Sequence, residues 1–107
     1  MSLGSFTVGA RVRLPLQILK NGGLPVSNPN SVKVQQILGP DSKAVSGFPK
    51  NMVPANKKLG VYYFDYTPKK IGNYIVIYTV VVDGVQFSQM DSFYATPPTS
   101  APSARPR

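Results

Sequence analysis

One hairpin signal constrains the fold more than any other feature of the chain. Residues 74–82 (YIVIYTVVV) are β-branched or aromatic, and Asp83-Gly84 follows them directly. Such side chains favour extended strands. Asp-Gly between two apolar runs favours a type I′ turn, because that turn needs positive φ at both central positions. The sequence therefore predicts an antiparallel hairpin of residues 74–82 and 85–94.

A second signal lies immediately before the hairpin. Residues 63–74 contain a strand-like aromatic run and a Pro/Gly turn, and Tyr74 comes two residues after Gly72. In a tyrosine corner, a tyrosine at this place bonds through its hydroxyl to backbone a few residues upstream. This order of elements predicts an all-β, immunoglobulin-like antiparallel β-sandwich of about seven strands. The alternative is a two-hairpin meander in another all-β fold.

The N-terminal half carries shorter strand signals. Apolar residues alternate with polar ones in residues 11–18, which places four side chains on one face: Val12, Leu14, Leu16 and Ile18. Pro15 then points outward and cannot donate a ladder hydrogen bond, so this strand is expected at a sheet edge or at a bulge. Residues 31–38 form the next strand. Residues 43–59 predict only a short irregular strand or a long loop.

The composition divides the chain at residue 94. A length of 107 residues allows one core, and residues 1–94 are expected to form it. Residues 95–107 contain prolines and no large apolar side chain. They are expected to form an extended, polyproline-like C-terminal tail, either a frayed end or an arm. As an arm, it would reach a neighbouring subunit and anchor there through Arg105 and Arg107.

The residue types argue against catalysis. The sequence has no His, Cys or Glu, and its acidic residues are four aspartates: Asp41, Asp65, Asp83 and Asp91. Asp41 and Asp83 lie in expected turns, where an aspartate caps its own backbone. The other two lie on different strands, without a partner carboxylate in reach. No general base, activated nucleophile, metal site or cofactor is therefore expected.

Charge and hydropathy limit the partners. Twelve Lys and Arg against four Asp give a net charge of +8, which favours acidic surfaces. The basic residues are scattered, whereas nucleic-acid readers cluster them, so no specific nucleic-acid binding is expected. No apolar run is long enough to cross a bilayer, and residues 1–6 lack the charged start and the apolar stretch expected of a signal peptide. We expect no membrane partner and synthesis in a cytoplasm.

The hairpin register assigns side chains to two faces. The predicted core face holds Tyr74, Val76, Tyr78, Val80, Val82, Val85, Phe87 and Phe93. The opposite face is also apolar, with Ile75, Ile77, Thr79, Val81 and Met90. Because a water-exposed sheet face is usually polar, we expect a cover: the first strand, residues 43–59 or, as favoured here, another protein chain. The candidate partner-contacting residues are Ile75, Ile77, Val81, Met90, Arg105 and Arg107.

Several motifs of the chain carry a family resemblance. These motifs are residues 60–68 (GVYYFDYTP), the Ile71–Tyr74 corner, Asp83-Gly84 and the opening residues 6–14 (FTVGARVRL). They resemble those of small immunoglobulin-like virion proteins of tailed bacteriophages. The resemblance covers residues 6–95. It implies a non-enzymatic structural protein that decorates or cements a capsid, or serves as a head or tail accessory. Its partners would be major capsid or tail subunits, with homo-oligomerisation also open, and its location the virion.

The same short motifs occur in bacterial surface modules, which leaves a second class open. An immunoglobulin-like adhesion module would bind a cell surface or carbohydrate, and Tyr62, Tyr66 and Tyr94 could supply the aromatics. Aromatics at strand spacing are more often core residues. A nucleic-acid binder is a third class, supported only by the net charge.

Overall fold

The computed structural model describes residues 2–19, 29–55 and 59–98, and every regular element in these ranges is a β-strand. The described residues form eight strands: β1 (Ser2–Thr7), β2 (Val12–Gln17), β3 (Ser31–Leu38), β4 (Lys50–Asn51), β5 (Val53–Pro54), β6 (Val61–Tyr66), β7 (Gly72–Val82) and β8 (Val85–Thr96). The prediction of an all-β domain is confirmed.

The strands form two sheets around one core. The larger sheet has the order β1-β8-β7-β3-β4, and the smaller one has the order β2-β6-β5. All pairings are antiparallel except that of β1 with β8. Side chains of both sheets, such as Leu14 and Val76, share one buried cluster. This arrangement is consistent with a β-sandwich.

The predicted hairpin is present in the predicted register. Val82 lies opposite Val85, and Tyr74 lies opposite Phe93. Asp83 and Gly84 both have positive φ, at 50° and 78°, as a type I′ turn requires. The side chain of Asn30 supports the turn, because its Oδ1 accepts a hydrogen bond from the Gly84 N–H at 3.1 Å. Local sequence therefore fixes this part of the fold.

The edge position of the proline-containing strand is also confirmed. β2 pairs only with β6, and its residues alternate between buried and exposed. Pro15 lies on the exposed side, while Val12, Leu14 and Leu16 are buried and Ile18 packs against the core. The Ile18 N–H donates to the Gly60 carbonyl, so in the alternating ladder position 15 faces the open edge, and the missing N–H of Pro15 costs no interstrand hydrogen bond.

Residues 43–59 contain two short strands in different sheets. β4 pairs with β3 in the larger sheet, and β5 pairs with β6 in the smaller one. Met52 lies between them and is buried, since the chain passes from one sheet to the other there. Phe48 packs edge-to-face on Phe64 with ring centroids 5.6 Å apart. This segment closes one side of the core.

Tyr74 forms the predicted corner. Its hydroxyl donates to the Lys70 carbonyl at 2.9 Å and accepts from the Lys70 N–H at 3.0 Å. Its ring stacks parallel on Phe93 at 4.9 Å between centroids and meets Tyr66 of the smaller sheet at 6.0 Å. One side chain thus fixes the β6–β7 connection and joins the two sheets.

Gly72 allows a close approach at the same corner. Its φ is +133°, and a Cβ there would lie 2.6 Å from the Cβ of Pro40. Pro40 belongs to the connection that follows β3. Only glycine tolerates both this backbone conformation and this contact, which is why the corner reads Gly-x-Tyr.

The predicted core face is wrong at its hairpin end. Val85 and Phe87 share the face of Tyr74, but their side chains are 54% and 56% exposed. Both residues lie where no described strand of the smaller sheet packs on β8. The face assignment is correct, yet this end of the hairpin extends past the core.

The last strand ends later than expected. β8 continues to Thr96, so the sheet includes Ala95 and Thr96, which the composition assigned to the tail. Ala95 is fully buried, and the Thr96 hydroxyl donates to the Phe6 carbonyl at 3.3 Å. The composition did not indicate this extension of the strand, because Ala95 is small and Thr96 is polar. Residues 99–107 lie outside the described residues.

We predict that Gly72→Ala destabilises the domain more than Gly84→Ala does. At Gly72 an added methyl group meets Pro40 and also strains the backbone, with an expected loss of about 2–5 kcal/mol. Gly84 also has positive φ, but nothing lies within 4 Å of its Cβ position, so only about 1–2 kcal/mol is expected. Urea unfolding of both variants measures the difference. Equal losses would show that the Pro40 contact carries no energy.

We predict opposite results for the two buried tyrosine hydroxyls. Tyr74→Phe leaves the Lys70 N–H and carbonyl without their partner and should cost about 1–3 kcal/mol. Tyr78→Phe is the matched control, because the Tyr78 hydroxyl has no hydrogen-bond partner among the described residues. It should leave the free energy of unfolding unchanged or raise it. A larger loss at Tyr78 than at Tyr74 would contradict the corner's role.

Candidate functional site

The outer face of the larger sheet is the candidate contact surface. We use this name for the face opposite the core, which carries Ile75, Ile77, Val81 and Met90 as predicted. Met90 is 58% exposed and Ile75 36%, while Ile77 and Val81 are half-buried. Ile77 lies directly opposite Met90 in the β7–β8 register, so these two form one apolar patch. Arg105 and Arg107, the other predicted contacts, lie outside the described residues.

Neither β1 nor the described part of residues 43–59 lies over the outer face. β1 pairs with the edge of β8 and β4 pairs with the edge of β3, so both extend the sheet sideways. β5 belongs to the other sheet. Within residues 2–19, 29–55 and 59–98, the exposed parts of this face therefore remain open to solvent. Tyr94, which is 41% exposed, lies on the same face and was not among the predicted contacts.

The start of β8 forms a second exposed surface, which we call the hairpin arm (residues 85–90). Every residue of the arm is exposed, including Val85, Phe87 and Met90. β1 pairs with β8 only from Ser92 onward. Strand alternation could not find this surface, because alternation assigns faces and says nothing about where the opposite sheet ends.

The smaller sheet carries an ordered charge pair on its outer side. Arg13 donates from Nε and Nη2 to the two carboxylate oxygens of Asp65, at 2.9 and 3.1 Å. Its guanidinium also lies 3.8 Å from the centre of the Tyr63 ring, a cation–π contact. The hydrogen bonds from Arg13 hold the pKa of the Asp65 carboxyl below its ordinary value. Asp65 is therefore occupied in cross-strand pairing.

A basic groove lies beside the tyrosine corner. A cavity of about 520 Å³ is lined by residues 39–41, 43–46, 66–67 and 69–70 together with Tyr74, and its lining includes Lys43, Lys69 and Lys70. Asp41 accepts from the Lys43 N–H at 3.2 Å and pairs with Lys70 at 3.5 Å, which lowers the pKa of its carboxyl. The groove can attract an anion by charge, but it presents no nucleophile with a base.

Asp91 is the exception among the aspartates. It is buried on the core-facing side of β8, and its Oδ1 has no hydrogen-bond partner among the described residues. Burial, and secondarily the nearby Asp91 charge, raise the pKa of Tyr78. The two groups are enclosed in the core rather than presented to a cleft. Asp83 occupies the hairpin turn, as predicted.

The tyrosines proposed for carbohydrate binding do not form one exposed platform. Tyr62 and Tyr66 are half-buried and pack against the core, and Tyr66 contacts the rings of Tyr74 and Phe93. Burial also raises the pKa of Tyr66. Tyr94 lies on the outer face of the other sheet. Two of the three are therefore core residues.

No protein family, no curated protein and no solved structure matches this chain. In the described parts of the chain, no group of three or more potential metal-ligating His, Cys, Asp or Glu side chains occurs. Those parts also contain no helix long and apolar enough to span a membrane.

We predict that the hairpin arm tolerates loss of its aromatic side chain, whereas the core does not. Phe93 is buried, so Phe93→Ser should cost about 3–5 kcal/mol or prevent folding. Phe87 lies on the same strand and face but is exposed, so Phe87→Ser should change the free energy of unfolding by less than about 1 kcal/mol. Thermal unfolding followed by circular dichroism compares them. Similar losses of unfolding free energy in both variants would show that the hairpin arm belongs to the core.

Proposed function

We propose that this chain is a non-enzymatic structural protein of a bacteriophage virion. It would decorate or cement the capsid, or serve as a head or tail accessory, through contacts with major capsid or tail subunits. The virion assignment rests on the sequence resemblance of residues 6–95. The contact role rests on one structural observation: apolar side chains of the outer face, Ile75, Met90 and Tyr94, are open to solvent.

The proposal includes an immunoglobulin-like identity for the domain. Such sandwiches place strands C, F and G in one sheet and B, E and D in the other. The orders β8-β7-β3-β4 and β2-β6-β5 correspond to G-F-C-C′ and B-E-D. The Tyr74 corner at the start of β7 occupies the place expected for strand F. The Cys pair and Trp of antibody domains are missing, so the proposal concerns the wider architecture.

The outer face suits a permanent protein partner. Ile77 and Met90 lie opposite one another, with Ile75 next along β7 on the same face. Fully burying an exposed side chain of this size contributes about 1.5–3 kcal/mol, and a partner would gain the share of it that corresponds to the exposed parts of Met90 and Ile75. Solvated sheet faces are usually polar. A shell subunit that covers this face would gain the burial energy without any catalytic chemistry.

The acidic groups support a role without chemistry. Asp65 is paired with Arg13, and Asp41 with Lys70. Asp83 forms the hairpin turn and Asp91 is enclosed in the core. Asp41 lines the basic groove, but there it accepts from the Lys43 N–H and pairs with Lys70, beside neither a second carboxylate nor a nucleophile, so it lacks the partner that general acid–base catalysis would need.

The basic terminal residues would complete the attachment. Net charge of +8 favours an acidic shell surface, and the planar guanidinium groups of Arg105 and Arg107 suit bidentate pairing with carboxylates. An extended segment of the length of residues 99–107 reaches tens of ångströms at about 3 Å per residue. In this proposal the outer face docks the domain, and the C-terminal segment (residues 99–107) fastens it.

We predict that particles of the phage that encodes this chain contain it, and that charge on the outer face removes it. Ile75→Lys with Met90→Lys should lower the copy number per particle about tenfold or more, because a charge in an apolar contact is not solvated. Quantitative mass spectrometry of purified particles measures the copy number. Gln17→Lys with Pro15→Lys adds the same charge on the exposed side of β2 and should leave it unchanged.

If purified particles lack the chain, the virion assignment is wrong. If both double variants are incorporated equally, the outer face is not the docking surface. A further variant that ends at Pro98 tests the C-terminal segment. It should melt like the full chain, because β8 ends at Thr96, but it should dissociate faster from particles.

A further inference from the structure

The hairpin arm has an open hydrogen-bonding edge. A two-residue type I′ turn makes Val82 and Val85 a hydrogen-bonded pair, so the N–H and C=O groups of Gln86, Ser88 and Met90 point away from β7. β1 pairs with β8 only from Ser92 to Thr96. Among the described residues, no strand pairs with the edge of residues 85–90. Six consecutive residues therefore present a free ladder edge.

The other sheet edges carry features that prevent pairing. β2 contains Pro15 and the exposed Arg13, and β1 has an irregular register between Ser2 and Ser5. β4 and β5 are two residues long, with Lys50 in one and Pro54 in the other. Charge, proline, irregularity and short length all discourage strand addition. The arm, with the sequence VQFSQM, has none of them.

We propose that the hairpin arm is the interface of a homodimer, in which the arms of two copies pair antiparallel about a two-fold axis at Phe87. The two larger sheets would then form one continuous ten-stranded sheet. Phe87 would face Phe87 of the partner subunit in a non-hydrogen-bonded pair, and Gln86 would pair with Ser88 of the partner subunit. This inference does not depend on the virion assignment.

Charge limits where two copies can meet. Two chains of net charge +8 repel each other, so their contact belongs where positive charge is lowest. The hairpin arm meets this condition, because it has no ionisable side chain. The lysines and arginines of the described residues all lie on other elements.

Sequence and register also support self-pairing. The arm is self-complementary in this register, because residues on one face of a copy meet residues on the same face of the other. The prolines of residues 97–107, at 97, 98, 102 and 106, cannot donate ladder hydrogen bonds, which makes that segment a poor occupant of the edge. Exposed Val85 and Phe87 would gain cover from the pairing.

Sedimentation velocity over a range of concentrations tests the dimer. We expect the wild type and Ser88→Ala to dimerise, because both keep the outward N–H at residue 88. Ser88→Pro lacks that N–H, and Phe87→Lys places a charge at the two-fold axis, so both should raise the dissociation constant at least about tenfold. Phe87→Lys keeps the test valid if Ser88→Pro does not fold, because residue 87 lies outside the core.

Two outcomes overturn the proposal: a wild type that stays monomeric at every concentration, or a folded Phe87→Lys variant that dimerises like the wild type. The register has its own check, because the chain has no native cysteine. Phe87→Cys should form a disulfide-linked dimer under mild oxidation, since opposed residues lie within about 5 Å between Cα atoms. Gln86→Cys should not, because its counterpart is offset along the strand. The reverse result would contradict the register.

Discussion

The contacts of Tyr74 hold the two sheets together at one end of the domain. Its hydroxyl bonds to both backbone groups of Lys70, its ring stacks on Phe93, and it meets Tyr66 across the core. Gly72, two residues earlier, lets Pro40 approach the same corner. The connections after β3 and β6 are therefore fixed against one another. β7 begins here and pairs with β3 and β8 along its length.

The two ends of the domain differ in how completely the hairpin is covered by other strands. Near Tyr74, aromatic rings of both sheets fill the core. Toward the Asp83-Gly84 turn, β8 loses both its neighbour β1 and the opposing sheet, so Val85 and Phe87 are exposed. The buried and the exposed residues thus lie in different parts of one hairpin, so changes at the hairpin arm are expected to leave the domain folded.

Charge follows local pairing. Asp65 with Arg13 forms a cross-strand pair, and Asp41 stabilises the connection after β3 through the Lys43 N–H and Lys70. Because three of the four aspartates, Asp41, Asp65 and Asp91, are paired or enclosed, the excess of Lys and Arg determines the surface potential. The hairpin arm differs from the rest of this basic surface, because it has no ionisable side chain.

Sequence alone determined the hairpin, its turn, its register and the Tyr74 corner, because those depend on strand propensity, positive φ and short-range hydrogen bonds. It also placed Pro15 at an edge and Ile75, Ile77, Val81 and Met90 on one face. Only the tertiary structure decided how far each sheet extends. Burial of Ala95 depends on β1, and exposure of Phe87 depends on the end of the smaller sheet. Alternation gives a side chain its face, but its burial is set by residues distant in sequence that pack, or do not pack, against it.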